Sequence, residues 1–192
     1  MAIQINGNGT ITGISVGGLP DGIVDTDMLA ANAVSSAKLA SGAGGKVLQT
    51  VSSSTTSQHT NETGTFEDTN LSGSITPSST SSKILVMVSQ AFEFQRANNE
   101  AGGSFRLLRD STVIDSAVSS DGGKYKYYHY SNAASNLSIY TCYSVTILDS
   151  PNTTSAITYK TQSACYIANN SARIKSQSGS IPSYITMMEI AA

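Results

Sequence analysis

Lys83 to Phe94, KILVMVSQAFEF, is the stretch that decides the fold. Ile84, Val86, Val88, Phe92 and Phe94 all fall on even positions and make one apolar face, the period of a strand and not of a helix. Leu85 and Met87 stand on the opposite face, so the start of this strand is apolar on both sides and needs cover from two directions. In a two-layered domain the core supplies one cover. A neighbouring subunit is a source of the other.

Reading outward, the same texture continues from Lys46 to the C-terminus. Val47–Val51 is β-prone, followed by a polar Ser/Thr run with His59 that reads as a loop or an edge. Thr65–Asp68 and Leu71–Thr76 read as two short strands closed by Pro77. Ser104–Arg109 and Thr112–Val118 predict a hairpin around Asp110-Ser111. Asp121-Gly122-Gly123 turns into Lys124–Tyr130. Ile139–Leu148 and Ser155–Ile167 read as long strands joined in a hairpin by Asp149–Thr154, and Tyr184–Ile190 as the last strand. Eight or more strands with turn signals and almost no helical periodicity predict an all-β head, a β-sandwich or jelly roll. About 145 residues are enough to bury a core in that form.

Before Lys46 the chain is different. Ile3 and Ile5, the turn signal Asn6-Gly7-Asn8-Gly9, then Ile11 predict a small hairpin. Val24–Ala43 then repeats at a shift of ten, placing Val24 on Val34, Leu29 on Leu39, Ala30 on Ala40 and Ala33 on Ala43. Ile14 and Leu19 hold the same apolar positions in a more diverged copy. Asp25 and Ser35 fit as caps of single helical turns. Two buried aliphatic side chains per unit supply roughly 3–6 kcal/mol, against roughly 10–20 kcal/mol to order ten residues. The segment therefore needs apolar surface from identical copies, and Leu19, Val24, Leu29, Val34 and Leu39 are its candidate contacts, with Leu85 and Met87 in the head. A linker rich in Ala and Ser, disordered or helical, is the competing reading. The Gly-rich run Ser41–Gly45 marks the boundary: residues 1–45 form an extended self-associating segment and 46–192 the β domain.

Composition narrows the function. Charged residues make up 12% of the 192 and the net charge is -2, against roughly 25% charged in an ordinary soluble domain. Such a surface suits crowded symmetric assemblies. There is no clustered basic face for nucleic acid and no apolar stretch that spans a bilayer. The start of the chain lacks a secretory signal, which places its synthesis in a cytosol.

Reactive chemistry is sparse. His59 and His129 are the two imidazoles, and no nucleophile elbow, HExxH or paired-Cys pattern is present, so neither an enzyme, a metal nor a cofactor is expected. Glu62, Glu67 and Asp68 read as solvated loop carboxylates. Cys142 and Cys165 fall on opposite faces if their strands pair as a hairpin, which argues against a disulfide; Cys165 reads as a core residue and Cys142 as facing a second layer or a subunit. Asn61-Glu62-Thr63 is a sequon that a Ser/Thr/Asn-rich chain produces by chance. The one concentration of recognition chemistry is Tyr125–Tyr130, YKYYHY. Tyrosine offers a flat apolar face with a polar tip. Tyr128, Tyr130, Lys126 and Asn132 are the candidate receptor contacts. The plainer reading places Tyr125, Tyr127 and His129 in a core or subunit seam.

The run GGLPDGIVDTDMLAANAVSSAKLASGAGG (residues 17–45) resembles the attachment and shaft segment of tail-fibre and other virion-fibre proteins of tailed phages, particularly those of cyanobacteria and marine bacteria. GKVLQTVSSST, LSGSITPSSTSSKILVMVS and IPSYITMMEI resemble the head that accompanies it. The resemblance implies a homotrimer whose N-terminal segment docks on other virion proteins. Its β head, on the tail or capsid exterior, meets a host envelope glycan or protein. The alternative within the same resemblance is a capsid head fibre or cement protein with a purely structural role. The His-x-His motif of some fibre tips is absent, so no axial iron is expected.

Overall fold

The chain divides into two units, Met1–Gly45 and Lys46–Ala192, and the computed structural model describes residues 4–5, 11–12, 34, 46–96, 101–116, 128–130, 137–166 and 172–192. In the first unit β1 (Gln4–Ile5) pairs antiparallel with β2 (Ile11–Thr12), Ile5 opposite Ile11. This is the hairpin that the alternating isoleucines predict. Leu19, Val24, Leu29 and Leu39, with the caps Asp25 and Ser35, lie outside the described residues. Val34 is described and is exposed.

The second unit is all β. Its strands are β3 (Val47–Thr55), β4 (His59–Asn61), β5 (Glu67–Ile75), β6 (Lys83–Arg96), β7 (Ala101–Arg109), β8 (Thr112–Ser116), β9 (Tyr128–Tyr130), β10 (Leu137–Asp149), β11 (Ile157–Tyr166), β12 (Arg173–Ser176) and β13 (Ser183–Ile190). Every pairing is antiparallel. The six-stranded sheet is organised around β6: β10 runs along one of its edges, and β13 and β12 share the other. β3 pairs with β13, and β4 with β12. The second sheet has the order β5-β11-β7-β8, with β9 pairing the start of β7.

The period-two pattern of β6 explains the packing. Ile84, Val86, Val88, Phe92 and Phe94 all point into the core, where they meet Leu71, Phe105, Leu107 and Tyr159 of the other sheet. Phe105 lies between Phe92 (centroids 4.7 Å apart) and Tyr143, on which it stacks at 5.0 Å. Burying such rings accounts for much of the stabilisation of a small core. Gly73 and Gly103 let the layers close: a Cβ at Gly73 would stand 2.6 Å from Met187 Cε, and one at Gly103 would run into Ile174.

Of the loop or edge expected for the polar run, the edge is what forms: β3 continues through Ser52–Thr55 and His59–Asn61 is β4, each ending the path of the six-stranded sheet, where an exposed side needs no apolar alternation. Other expectations need correction. The two short strands around Asn70 are one strand, β5. Asn70 takes a left-handed φ of 64° and bulges the ladder against β11 without ending it. β10 and β11 do not form a hairpin: they belong to different sheets, and the Asp149–Thr154 connection crosses between layers. Cys142 and Cys165 therefore do not face each other across a hairpin ladder, the pairing on which their opposite-face placement depended. Both cysteines are nonetheless free, Cys165 in the core and Cys142 exposed on the outer surface.

Candidate functional site

Three places in the second unit concentrate polar or unpartnered chemistry. The first is a groove of about 490 Å³ lined by Thr55, Ser57, Asp68, Asn70, Leu71, Ser72, Thr158 and Lys160. The bulge of β5 at Asn70 shapes it, and β11 contributes Thr158 and Lys160. Asp68 accepts a hydrogen bond from Lys160 Nζ at 2.8 Å and one from Gln162 Nε2 at 2.7 Å. Burial pushes the Asp68 carboxyl up, but these two bonds and the positive charge of Lys160 outweigh it and hold it below its usual value. An ionised, paired carboxylate of this kind does not act as a proton donor at neutral pH. Beside the groove, Arg106 lies over the Phe66 ring at 4.1 Å and donates from Nε to Gln162.

The second place is the outer face of the six-stranded sheet. Across β10, β6, β13 and β3 the register builds one row of Leu148, Leu85, Met188 and Thr50. The next is Thr146, Met87, Thr186 and Ser52, and the third is Ser144, Ser89, Tyr184 and Ser54. None of these side chains is charged. Leu85, Met87 and Met188 are half-buried by their neighbours, whereas Leu148 and Tyr184 are exposed. Leu85 and Met87 are therefore covered on the core side by their own sheet and open on the other.

The third is β9. Its backbone sets Tyr128 opposite Gly103 and Tyr130 opposite Ala101 at the edge of the five-stranded sheet. Lys126 and Asn132 lie outside the described residues. The two sets of sequence candidates sit on different sheets: Tyr128 and Tyr130 on one, Leu85 and Met87 on the other.

The remaining candidates have structural partners. Glu67 stands 3.6 Å from His59, and Glu62 stands 3.4 Å from Arg173. The Asn61 side chain is buried, with its amide donating to the carbonyls of Thr65 and Ser163. Among the described residues no group of three His, Cys, Asp or Glu side chains is placed to hold a metal.

Two buried carboxylates were not foreseen. Glu189, on the inward face of β13, accepts from Ser78 N (2.7 Å), Ser78 Oγ (2.6 Å) and Gln49 Nε2 (2.6 Å). Burial pushes its pKa up, yet donation from Ser78, Gln49 and Ser82 prevails and holds it at about 2. Glu93 accepts from Ser178 at 2.6 Å, from Gln95, and from Lys175 at 3.4 Å. A buried amide network tops the core nearby. Gln177 donates to the carbonyls of Thr69 and Ser57, and accepts from Gln90 and Ser183.

No protein-family model and no curated protein matches the chain. Among solved structures it is similar to the VP2 subviral particle of infectious bursal disease virus, at 10% identity and a TM-score of 0.38, over 76% of this chain and 38% of that one. The Gt strain of the same virus gives 10% identity, a TM-score of 0.35, and coverage of 76% and 39%. A mutant VP2 protein from derived particles gives 10%, 0.35, and coverage of 76% and 37%. The chain thus spans less than two fifths of those proteins. Neither family membership nor function follows from a likeness of this size.

Proposed function

We propose that the chain is a phage virion structural protein, a homotrimeric short fibre. Residues 1–45 anchor it to other virion proteins and hold three copies together, and its β head meets the host envelope. The observation that carries this reading is the uncharged part of the outer sheet face, where half-buried Leu85, Met87 and Met188 and exposed Leu148 lie among hydroxyls. Such a face suits self-association, because equivalent surfaces meet there without like-charge repulsion. The decads of the N-terminal segment make the same demand, and the resemblance to fibre proteins sets the number at three.

The function is binding and not catalysis. Tyr128 and Tyr130, with Lys126 and Asn132, are the proposed receptor contacts, directed at a host glycan or surface protein. Three weak sites on one trimer raise the effective affinity without any single strong contact.

Immunolabelling of purified virions tests placement: label on the tail supports the fibre, and label spread over the capsid replaces it with a decoration protein. Binding of the full-length protein to host cells tests the receptor role. Tyr128→Ala with Tyr130→Ala is expected to cut cell binding at least about tenfold at unchanged oligomeric mass. Unchanged binding would remove these tyrosines from the receptor site.

A further inference from the structure

β10 is the longest edge strand among the described residues. It stays in register with β6 over its whole length, Leu137 opposite Arg96 through Asp149 opposite Ile84, without a bulge. Among the described residues β6 is its one strand partner. Along Ser144–Leu148 the backbone N–H and C=O groups that point away from β6 thus meet no described strand. Proteins ordinarily blunt such an edge with Lys, Pro, a bulge or short length. From Leu137 to Leu148 β10 carries no charge, no Pro and no Gly. Of the other edges among the described residues, β4 is three residues long, β8 is five residues with a register shift, β5 is bulged at Asn70, and the nine-residue β3 is bulged near its start, at Leu48.

Side-chain burial shows the same incompleteness. Val88 and Val86 of β6 are fully buried, whereas their neighbours across the ladder, Val145 and Ile147 of β10, are only partly so. The core wall stops one strand early.

We propose that β10 is the seam along which a second copy of this chain adds an extended strand to the six-stranded sheet. The repeat of outward donors and acceptors, two residues or about 6.8 Å, fits another strand and no sugar or lipid. Charge identifies the strand's owner. Along Ser144–Leu148 the edge, and the rows of the outer face beside it on β6 and β13, carry no charge for an acidic or basic foreign partner to complement, and identical copies meet there without repulsion. The added strand would cover Val145 and Ile147 on the inner side and Leu148 on the outer side. This inference rests on the proposed self-association and says where it occurs.

Residue-resolved amide hydrogen exchange on the full-length protein tests it, with mass measured by sedimentation on the same sample. The expected result is an oligomer in which consecutive amides from Ser144 to Leu148 are all protected. In Ser144→Lys with Thr146→Lys, both exposed positions, alternate amides are expected to exchange more than about tenfold faster, and the mass to fall. An oligomer whose wild-type Ser144–Leu148 amides already alternate between slow and fast overturns the seam and leaves self-association standing. So does a double-Lys variant that keeps its full mass. A protein that stays at the 20.0 kDa of one chain at every concentration overturns both.

Discussion

The two long sides of the sandwich finish themselves differently. On the β3/β5 side the layers converge. Gly73 brings β5 close to Ser53, Gln49 donates across to the Thr76 carbonyl at 2.7 Å, and Glu189 clasps the β5–β6 loop through Ser78. On the β10/β8 side the layers are tied at points. Arg109 Nη1 bridges both oxygens of Asp149 at 2.8 Å, Tyr159 donates to Asp149 at 2.7 Å, and Tyr143 reaches Asp115 at 3.3 Å. Between those ties Val145, Ile147 and Ile114 are only partly buried. One side is completed by the chain's own side chains. The other is pinned and left short of apolar cover, where a second copy has something to add.

The largest effect is expected where the closed side is tightest. Gly73→Val would push a side chain into Met187 Cε (2.6 Å from the first added carbon), with Ile185 and Ser53 at 3.3 Å. A loss of about 3 kcal/mol in urea unfolding is expected; a loss below about 1 kcal/mol would mean that the layers are not in close contact there.

Next comes the Glu189 clasp. Glu189→Gln exchanges a carboxylate that accepts from several donors for a neutral amide, at a cost of about 2 kcal/mol at pH 7. The sign of the pH dependence follows from the depressed pKa. The clasp contributes fully above the unfolded-state value near 4.5 and is lost as pH falls towards about 2. Wild type should therefore lose stability over that window with a steeper slope than Glu189→Gln. Parallel slopes would remove Glu189 as the cause.

On the open side Asp149→Asn is expected to cost less, about 1 kcal/mol, because the Arg109 and Asp149 side chains retain 23% and 12% of their exposure. A cost above that of Glu189→Gln would invert the comparison. Smallest of all, Ser144→Lys and Thr146→Lys should leave unfolding within about 0.5 kcal/mol while changing assembly.

Much of this architecture is legible in the residues. The alternation of Ile84 to Phe94 marks the central strand and its inward face, and Asp110-Ser111 marks the β7–β8 turn, where Asp110 adopts a φ of 51°. Other features escape a reading along the chain because they arise between strands. A hairpin and a crossing between layers share the same turn residues, so Asp149–Thr154 does not reveal that β10 and β11 part company. β12 is four residues long with Ile174 its one buried apolar side chain, too short for a period to register. Glu189 breaks the inward pattern Ser183, Ile185, Met187 with a charge whose partners lie over a hundred residues away. The groove has the same origin: Asp68 and Lys160 meet through the register of β5 on β11. Tyr128 and Tyr130 stand out by composition, in the run YKYYHY, and not by period; it is pairing with β7 that sets their backbones opposite Gly103 and Ala101.

The proposed fibre depends on identical copies completing what one chain leaves open. Sedimentation equilibrium of the full-length protein tests this most directly. A single species at three times the 20.0 kDa chain mass, persisting on dilution, is the result expected. A stable, fully folded species of one chain mass across the whole concentration range would contradict it.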